Sequence, residues 1–159
     1  MHYFFTRTLR VPNSSLCSLV IALVIFVSFA LIGPATATER QEASQHQAIS
    51  VVIQRYIEGG KRGKSSIMKP AFHEQATMYF VASDNIHGGS IQGLFDAIDK
   101  AGPSPSLIGK IGAIDVNETT ATVRIELYNW GGVRYTDQMS LLKTNGEWKI
   151  ISKVYHQTK

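Results

Sequence analysis

The chain has 159 residues, 44% hydrophobic and 18% charged, with 16 Lys+Arg, 12 Asp+Glu and a single Cys. That length suits one domain of ordinary size rather than two, and the apolar share can form a core, which excludes a disordered polyelectrolyte. One cysteine excludes an intrachain disulfide framework, and no paired Cys/His spacing supports a structural zinc site.

At the N-terminus, Arg7 and Arg10 precede an uncharged run over residues 16–32, followed by Gly33-Pro34 and the small-x-small pattern Ala35-Thr36-Ala37. Positive flank, apolar centre and small-residue exit are the three parts of a secretory signal peptide, with cleavage expected after Ala37. The run is also at the lower limit for a membrane span, so if retained it would anchor the domain to a membrane. The division is thus 1–37 as signal peptide and 38–159 as the domain. Cleavage removes the cysteine and two arginines, bringing the net charge from +4 to +2. A cysteine-free, near-neutral domain fits an exported location, periplasmic or secreted, and lacks the electrostatic footprint of a nucleic-acid binder.

Residues 42–57 carry Ile49, Val52, Ile53, Tyr56 and Ile57 at i, i+3, i+4, i+7 and i+8, one continuous helical stripe, with Gly59-Gly60 as its expected end. A basic stretch, Lys61, Arg62 and Lys64, leads to Ser65-Ser66, an N-cap signal for a short second helix that Pro70 truncates. Residues 78–81 read as a strand turning at Asp84-Asn85, with a short return broken at Gly88-Gly89. Ser90 caps a third helix carrying Ile91, Leu94, Phe95 and Ile98, stopped by Ala101-Gly102-Pro103. Four strands follow at 107–116, 121–130, 134–143 and 147–156, the last pair joined by the hairpin signal Asn145-Gly146. The pattern predicts an α+β fold with three helices on one face of an antiparallel sheet.

Pairing across Asn145-Gly146 sets Leu141 opposite Ile150, Met139 opposite Ser152, Asp137 opposite Val154 and Tyr135 opposite His156. A three-residue loop at Gly131-Gly132-Val133 pairs Val123 with Leu141, Ile125 with Met139, Leu127 with Asp137 and Asn129 with Tyr135, and keeps one face apolar. One end of that face is dry core; the other gathers Asp137, His156, Tyr135 and Asn129. A carboxylate on an apolar strand face is costly unless paired, and proteins keep one mostly in structural networks or at ligand sites. Asp137 is the candidate general base, with Tyr135 and His156 as donors to a developing oxyanion. His73, Tyr56, Tyr79, Phe95, Leu127, Asn129, Met139 and Ser152 are the candidate pocket residues. No metal-ligand constellation, phosphate loop or nucleophile elbow is found, so the reading calls for no cofactor and no metal. The outer sheet face, with Arg124, Glu126, Tyr128 and Trp130, is the candidate homodimer interface.

The order of elements, the stretch Phe72-His73-Glu74-Gln75-Ala76-Thr77-Met78, the strand from Tyr135-Thr136-Asp137 to Leu141-Leu142-Lys143 and the closing Asn145-Gly146-Glu147-Trp148-Lys149-Ile150 resemble the NTF2-like superfamily. Within it the chain is most similar to the lumazine-binding group, near the SnoaL-like polyketide cyclases, over about residues 42–157. The resemblance implies a cystatin-like cone, a curved antiparallel sheet wrapped around helices with an open mouth, often dimeric through the sheet. Its members include isomerases, dehydratases and cyclases as well as binding modules, and the helix and early-strand carboxylates that several of these enzymes use have no obvious counterpart here, since Asp84 sits in a turn. Three functions follow as expectations: binding of a small apolar or aromatic molecule, a cofactor-independent isomerase, cyclase or dehydratase using Asp137, or a dimerisation module whose pocket is filled by its own side chains.

Overall fold

The computed structural model describes residues 36–158. The expected signal peptide, 1–37, lies almost wholly outside the described residues.

Helix α1 (Ala37–Arg62) buries the expected stripe of Ile49, Val52, Ile53, Tyr56 and Ile57. It does not end at Gly59-Gly60. A Cβ on Gly59 would stand 2.8 Å from Met68 Cβ, and one on Gly60 would stand 2.8 Å from Trp130 Cζ2 and 2.9 Å from Leu107 Cδ2. These glycines serve close packing rather than a left-handed cap, and the helix runs through them at some cost in propensity. The four-residue helix α2 (Ser65–Met68) has no cap from its own flank. Its cap comes from across the fold: the Ser65 backbone N–H and hydroxyl donate to the two Asp99 carboxylate oxygens at 2.7 and 2.6 Å. Those hydrogen bonds hold the Asp99 carboxyl below its ordinary range.

Strand β1 (Phe72–Ala82) follows a 3-10 turn at Lys69–Ala71 and is longer than expected. It pairs with β2 (Asn85–Ser90), which continues through Gly88 and Gly89 to a Thr77–Ser90 pair. Helix α3 (Gln92–Ala101) buries Leu94, Phe95 and Ile98 and is closed by the Gly102 N–H donating to Ile98 O. Strands β3 (Ile108–Asn117), β4 (Thr120–Trp130), β5 (Val133–Thr144) and β6 (Glu147–Thr158) lie within two residues of their expected bounds. Among the described residues one six-stranded sheet runs β2-β1-β6-β5-β4-β3, open at both edges, antiparallel except for the β1–β6 pair. The long excursion from β1 to β6 through a helix and a meander is what permits that parallel neighbour. The fold is α+β, with the helices against the concave face, where Val123, Ile125, Leu141 and Ile150 meet the α1 stripe.

Two of the sheet's register shifts, in the β5–β6 and β4–β5 pairs, depart from the pairing expected from sequence. Leu141 does face Ile150, but Ser140 then faces Ser152, leaving Ile151 as an extra residue on β6. Beyond this bulge every β6 side chain changes face: Met139 pairs with Lys153 and Asp137 with Tyr155. Across β4–β5, Val123 pairs with Met139, Ile125 with Asp137 and Leu127 with Tyr135, two residues from the expected register, so that the faces are conserved. The turn is two residues long, Gly131-Gly132, with φ of 60° and 84°, closed by a Trp130–Val133 pair. Glycines at both positions suit a primed turn. The odd residue is absorbed by Asn129, whose φ of 58° makes a bulge that turns Trp130 inward. Ser104 fastens it, its hydroxyl donating to Asn129 O and accepting from the Gly131 N–H. Trp130 is therefore not on the outer face with Arg124, Glu126 and Tyr128, as expected; the first two of these join Arg134 in surface ion pairs.

Candidate functional site

Asp137 sits on β5, on the concave face, with its side chain 0% exposed to solvent. The tyrosine of the α1 stripe reaches it: Tyr56 Oη donates to Asp137 Oδ2 at 2.7 Å. The bulge at Ile151 supplies the second partner, Lys153, whose Nζ donates to Asp137 Oδ1 at 3.0 Å. Lys153 is itself only 3% exposed. The two charged side chains are diagonal neighbours on adjacent strands, and no buried side-chain polar atom among the described residues lacks a partner. Lys153 Nζ also lies 4.0 Å from the Tyr155 ring centroid and 6.0 Å from that of Tyr56, a cation held between a carboxylate and aromatic faces.

This trio forms part of the wall of a cavity of about 340 Å³, a volume that suits a small molecule. Helix α3 contributes Leu94, Ala97, Ile98 and Ala101; β1 gives Met78; the β4–β5 turn gives Trp130, Gly131 and Val133; Tyr135 and Tyr155 complete the wall. Tyr56, Trp130, Tyr135 and Tyr155 touch in sequence edge-to-face, with centroids 5.5, 6.1 and 5.8 Å apart. Phe80 extends this series towards β2, stacked on Tyr155 at 4.8 Å and on His87 at 5.5 Å.

Burial sets the titration behaviour of the groups on the wall. It pushes the Tyr56 phenol well above its ordinary 10.0, with the Asp137 charge acting the same way. Tyr135 and Tyr155 are also raised, chiefly by burial. Burial lowers Lys153 from its ordinary 10.5, and the Asp137 charge and hydrogen bond only partly oppose this. The phenol therefore keeps its proton to donate it in a hydrogen bond, and the amine gives up its proton more readily than a lysine in water.

Of the residues singled out from sequence, Asp137, Tyr135 and Tyr56 come together here. The Ile151 bulge turns His156 and Ser152 to the opposite face, and His156 is exposed. Asn129 is exposed at its own bulge, and Tyr79 points out of the sheet beside inward-facing Met78. Leu127 and Met139 are buried in the core away from the cavity wall. His73 and Phe95 line a separate cavity of about 370 Å³ with Lys69 and Phe72, where Lys69 Nζ sits 5.3 Å from the Phe95 centroid. The central residue that the sequence reading missed is Lys153. Its signal is the doublet Ile150-Ile151, which breaks the apolar alternation where the strand bulges.

Comparison with known proteins agrees with this architecture. A protein named aldolase FrzH, from Cladobotryum sp., is 30% identical over 115 residues, covering 72% of this chain and 92% of that protein. An NTF2-like protein of unknown function from Shewanella baltica superposes with a TM-score of 0.72 at 42% identity, over 79% of this chain and 99% of the other. Another from Methylobacillus flagellatus gives 0.70 at 31% identity, over 73% and 94%. The sheet and helices are thus those of the NTF2-like fold. The family model described as "Putative lumazine-binding" matches residues 44–156, and the chain belongs to that family.

Proposed function

We propose that the domain binds a small, mainly apolar or aromatic molecule in the α3–sheet cavity and orients its polar group against Asp137, Lys153 and Tyr56. The observation that carries this reading is the buried Asp137–Lys153 pair on the wall of an open, aromatic-lined cavity. Two buried charges are a poor way to stabilise a core, and their position beside an open cavity favours a ligand over an interior filled by its own side chains. Lumazine, a planar heterocycle named by the family description, and acetophenone are suitable probes. Either should quench Trp130 emission saturably, and Ala97→Trp, which adds bulk at an exposed wall position, should abolish the quenching. Quenching that survives Ala97→Trp would place the ligand elsewhere.

A second reading, cofactor-independent proton transfer next to a carbonyl, is favoured by the pairing of a buried carboxylate with two donors and by the aldolase name of the Cladobotryum relative. Asp137 would take the α-proton while Tyr56 and Lys153 hold the developing oxyanion. Deuterium exchange into the methyl group of acetophenone, followed by NMR, should then fall by about 10²–10⁴-fold in Asp137→Asn, with lumazine binding kept. Exchange no faster with the wild-type protein than in buffer would remove this reading.

The proposal extends to location and assembly. The Arg7/Arg10 flank, apolar run and Ala35-Thr36-Ala37 exit support export with removal of residues 1–37. Exposed Tyr79, Val81, Ile86 and Val154 on the outer face of neighbouring strands support a homodimer through the sheet. Intact mass and sedimentation of the exported chain read both: a mass that includes residues 1–37, or a monomer at micromolar concentration, would count against them.

A further inference from the structure

We propose that Lys153 is an imine-forming amine, and that the cavity takes aldehydes or ketones as covalent iminium adducts on Lys153 Nζ. The inference rests on the ligand-binding reading above and goes beyond it, because neither binding nor proton abstraction by Asp137 needs a covalent bond.

The argument starts from what the lysine is doing where it is. A lysine that merely neutralised Asp137 would be an expensive choice, since taking an ammonium out of water costs several kcal/mol before any attraction is recovered. The position needs no cation for packing: Met139, its partner across β5–β6, is an ordinary apolar core residue. The chain nevertheless bulges at Ile151, which brings this side chain inward and turns Val154 out to solvent. The result is an amine on the wall of a cavity walled by Tyr56, Trp130, Tyr135 and Tyr155. Desolvation in an apolar pocket is one of the established ways of making a lysine nucleophilic towards carbonyl carbon. Aromatic faces near Nζ suit the cation that an iminium would place there.

The neighbouring groups supply the proton traffic. The Lys153 ammonium passes one proton to the Asp137 carboxylate, 3.0 Å away. The free amine then adds to the carbonyl carbon, forming the C–N bond, while the carbonyl oxygen takes a proton to become the hydroxyl of a carbinolamine. The Tyr56 phenol, hydrogen-bonded to the other Asp137 oxygen at 2.7 Å, can relay that proton and be reprotonated from the carboxyl group. The nitrogen lone pair expels the hydroxyl group, which leaves as water with the second proton. Overall, ammonium plus carbonyl gives iminium plus water, so atoms and charge balance with no redox partner. Asp137, back in its carboxylate form, faces the iminium as a counter-charge and as a base for the adjacent carbon.

Benzaldehyde with cyanoborohydride tests this on the full chain, because reduction fixes the iminium as a stable benzylamine that peptide mass spectrometry can locate. At neutral pH the peptide carrying Lys153 should be labelled faster than the one carrying exposed Lys100, by about ten-fold for each unit by which burial lowers the amine. Ala97→Trp should slow labelling at Lys153 and leave Lys100 unchanged. Benzaldehyde quenching of Trp130 is measured alongside. Saturable quenching with Lys153 labelled no faster than Lys100 overturns the imine alone. Absence of saturable quenching overturns the ligand pocket, and the imine with it.

Discussion

Lys153→Met should destabilise the domain by about 3–5 kcal/mol, the cost of leaving one member of a buried ion pair without the other. Methionine fills nearly the same volume, so the loss is electrostatic rather than a packing defect. Asp137 would keep only the Tyr56 hydroxyl, with one carboxylate oxygen facing aliphatic and aromatic carbon. The corollary separates this from a general intolerance of the site. Adding Asp137→Leu and Tyr56→Phe to Lys153→Met removes every member of the network and should recover most of the loss, since apolar replacements for buried pairs are often neutral or better. Urea unfolding midpoints give both numbers. A single variant costing less than about 1 kcal/mol would mean that the pair is not desolvated. A triple variant as unstable as the single one would mean that the trio sustains the fold instead of a ligand site.

The buried network stands at a cavity wall rather than in the dry core. The dry end of the sheet, with Val123, Leu141 and Ile150, needs no such device. The cavity end of the sheet carries Asp137 and Lys153, met there by Tyr56 from α1, together with a bulge in each of the strands β4 and β6 that turns Trp130 and Lys153 inward. Bulges near active sites commonly re-aim a side chain in this way.

Most of the scaffold was legible in sequence because its signals are local. The α1 stripe from Ile49 to Ile57 announces a buried helix face, and Asn145-Gly146 fixes a hairpin whose first pairs, including Leu141–Ile150, fall where alternation puts them. Asp137 stood out because a lone acid on an apolar face calls for a partner. What alternation cannot carry is parity beyond a bulge. One unpaired residue, Ile151, exchanged Ser152, Val154 and His156 for Lys153 and Tyr155, so strict period-two pairing set Val154 opposite Asp137 and brought His156 to the site, whereas the side chain that reaches the carboxylate is the Lys153 amine. The same happened at Asn129, a residue type that tolerates a left-handed backbone, where Trp130 moved from the outer face to the cavity. Gly59-Gly60 misled for another reason: sequence cannot distinguish a glycine that ends a helix from one that lets Trp130 and Met68 come close.

Alkaline pH should probe the trio in the opposite direction, and the sign follows from which state holds the protons. Tyr56 has a folded-state pKa above that of the unfolded chain, near 10.0, so its contribution is fully present below that pH and is lost as pH rises through the folded value. Lys153 is depressed, so between its folded value and 10.5 the unfolded chain binds the extra proton and stability rises with pH. The two oppose each other only below 10.5. Above it the lysine no longer contributes a slope, and the phenols, Tyr56 first with Tyr135 and Tyr155 behind it, govern the loss. Replacing Tyr56 by Phe removes its share, which is about 1.4 kcal/mol per pH unit while the native phenol holds its proton and the unfolded one has lost it. Urea midpoints taken from about pH 8 to about pH 11.5 should therefore fall less steeply in Tyr56→Phe than in the wild type, whatever the offset between the two at neutral pH. Parallel curves above pH 10.5 would show that Tyr56 ionises as freely in the folded chain as in the unfolded one, which a phenol enclosed beside the Asp137 carboxylate cannot do.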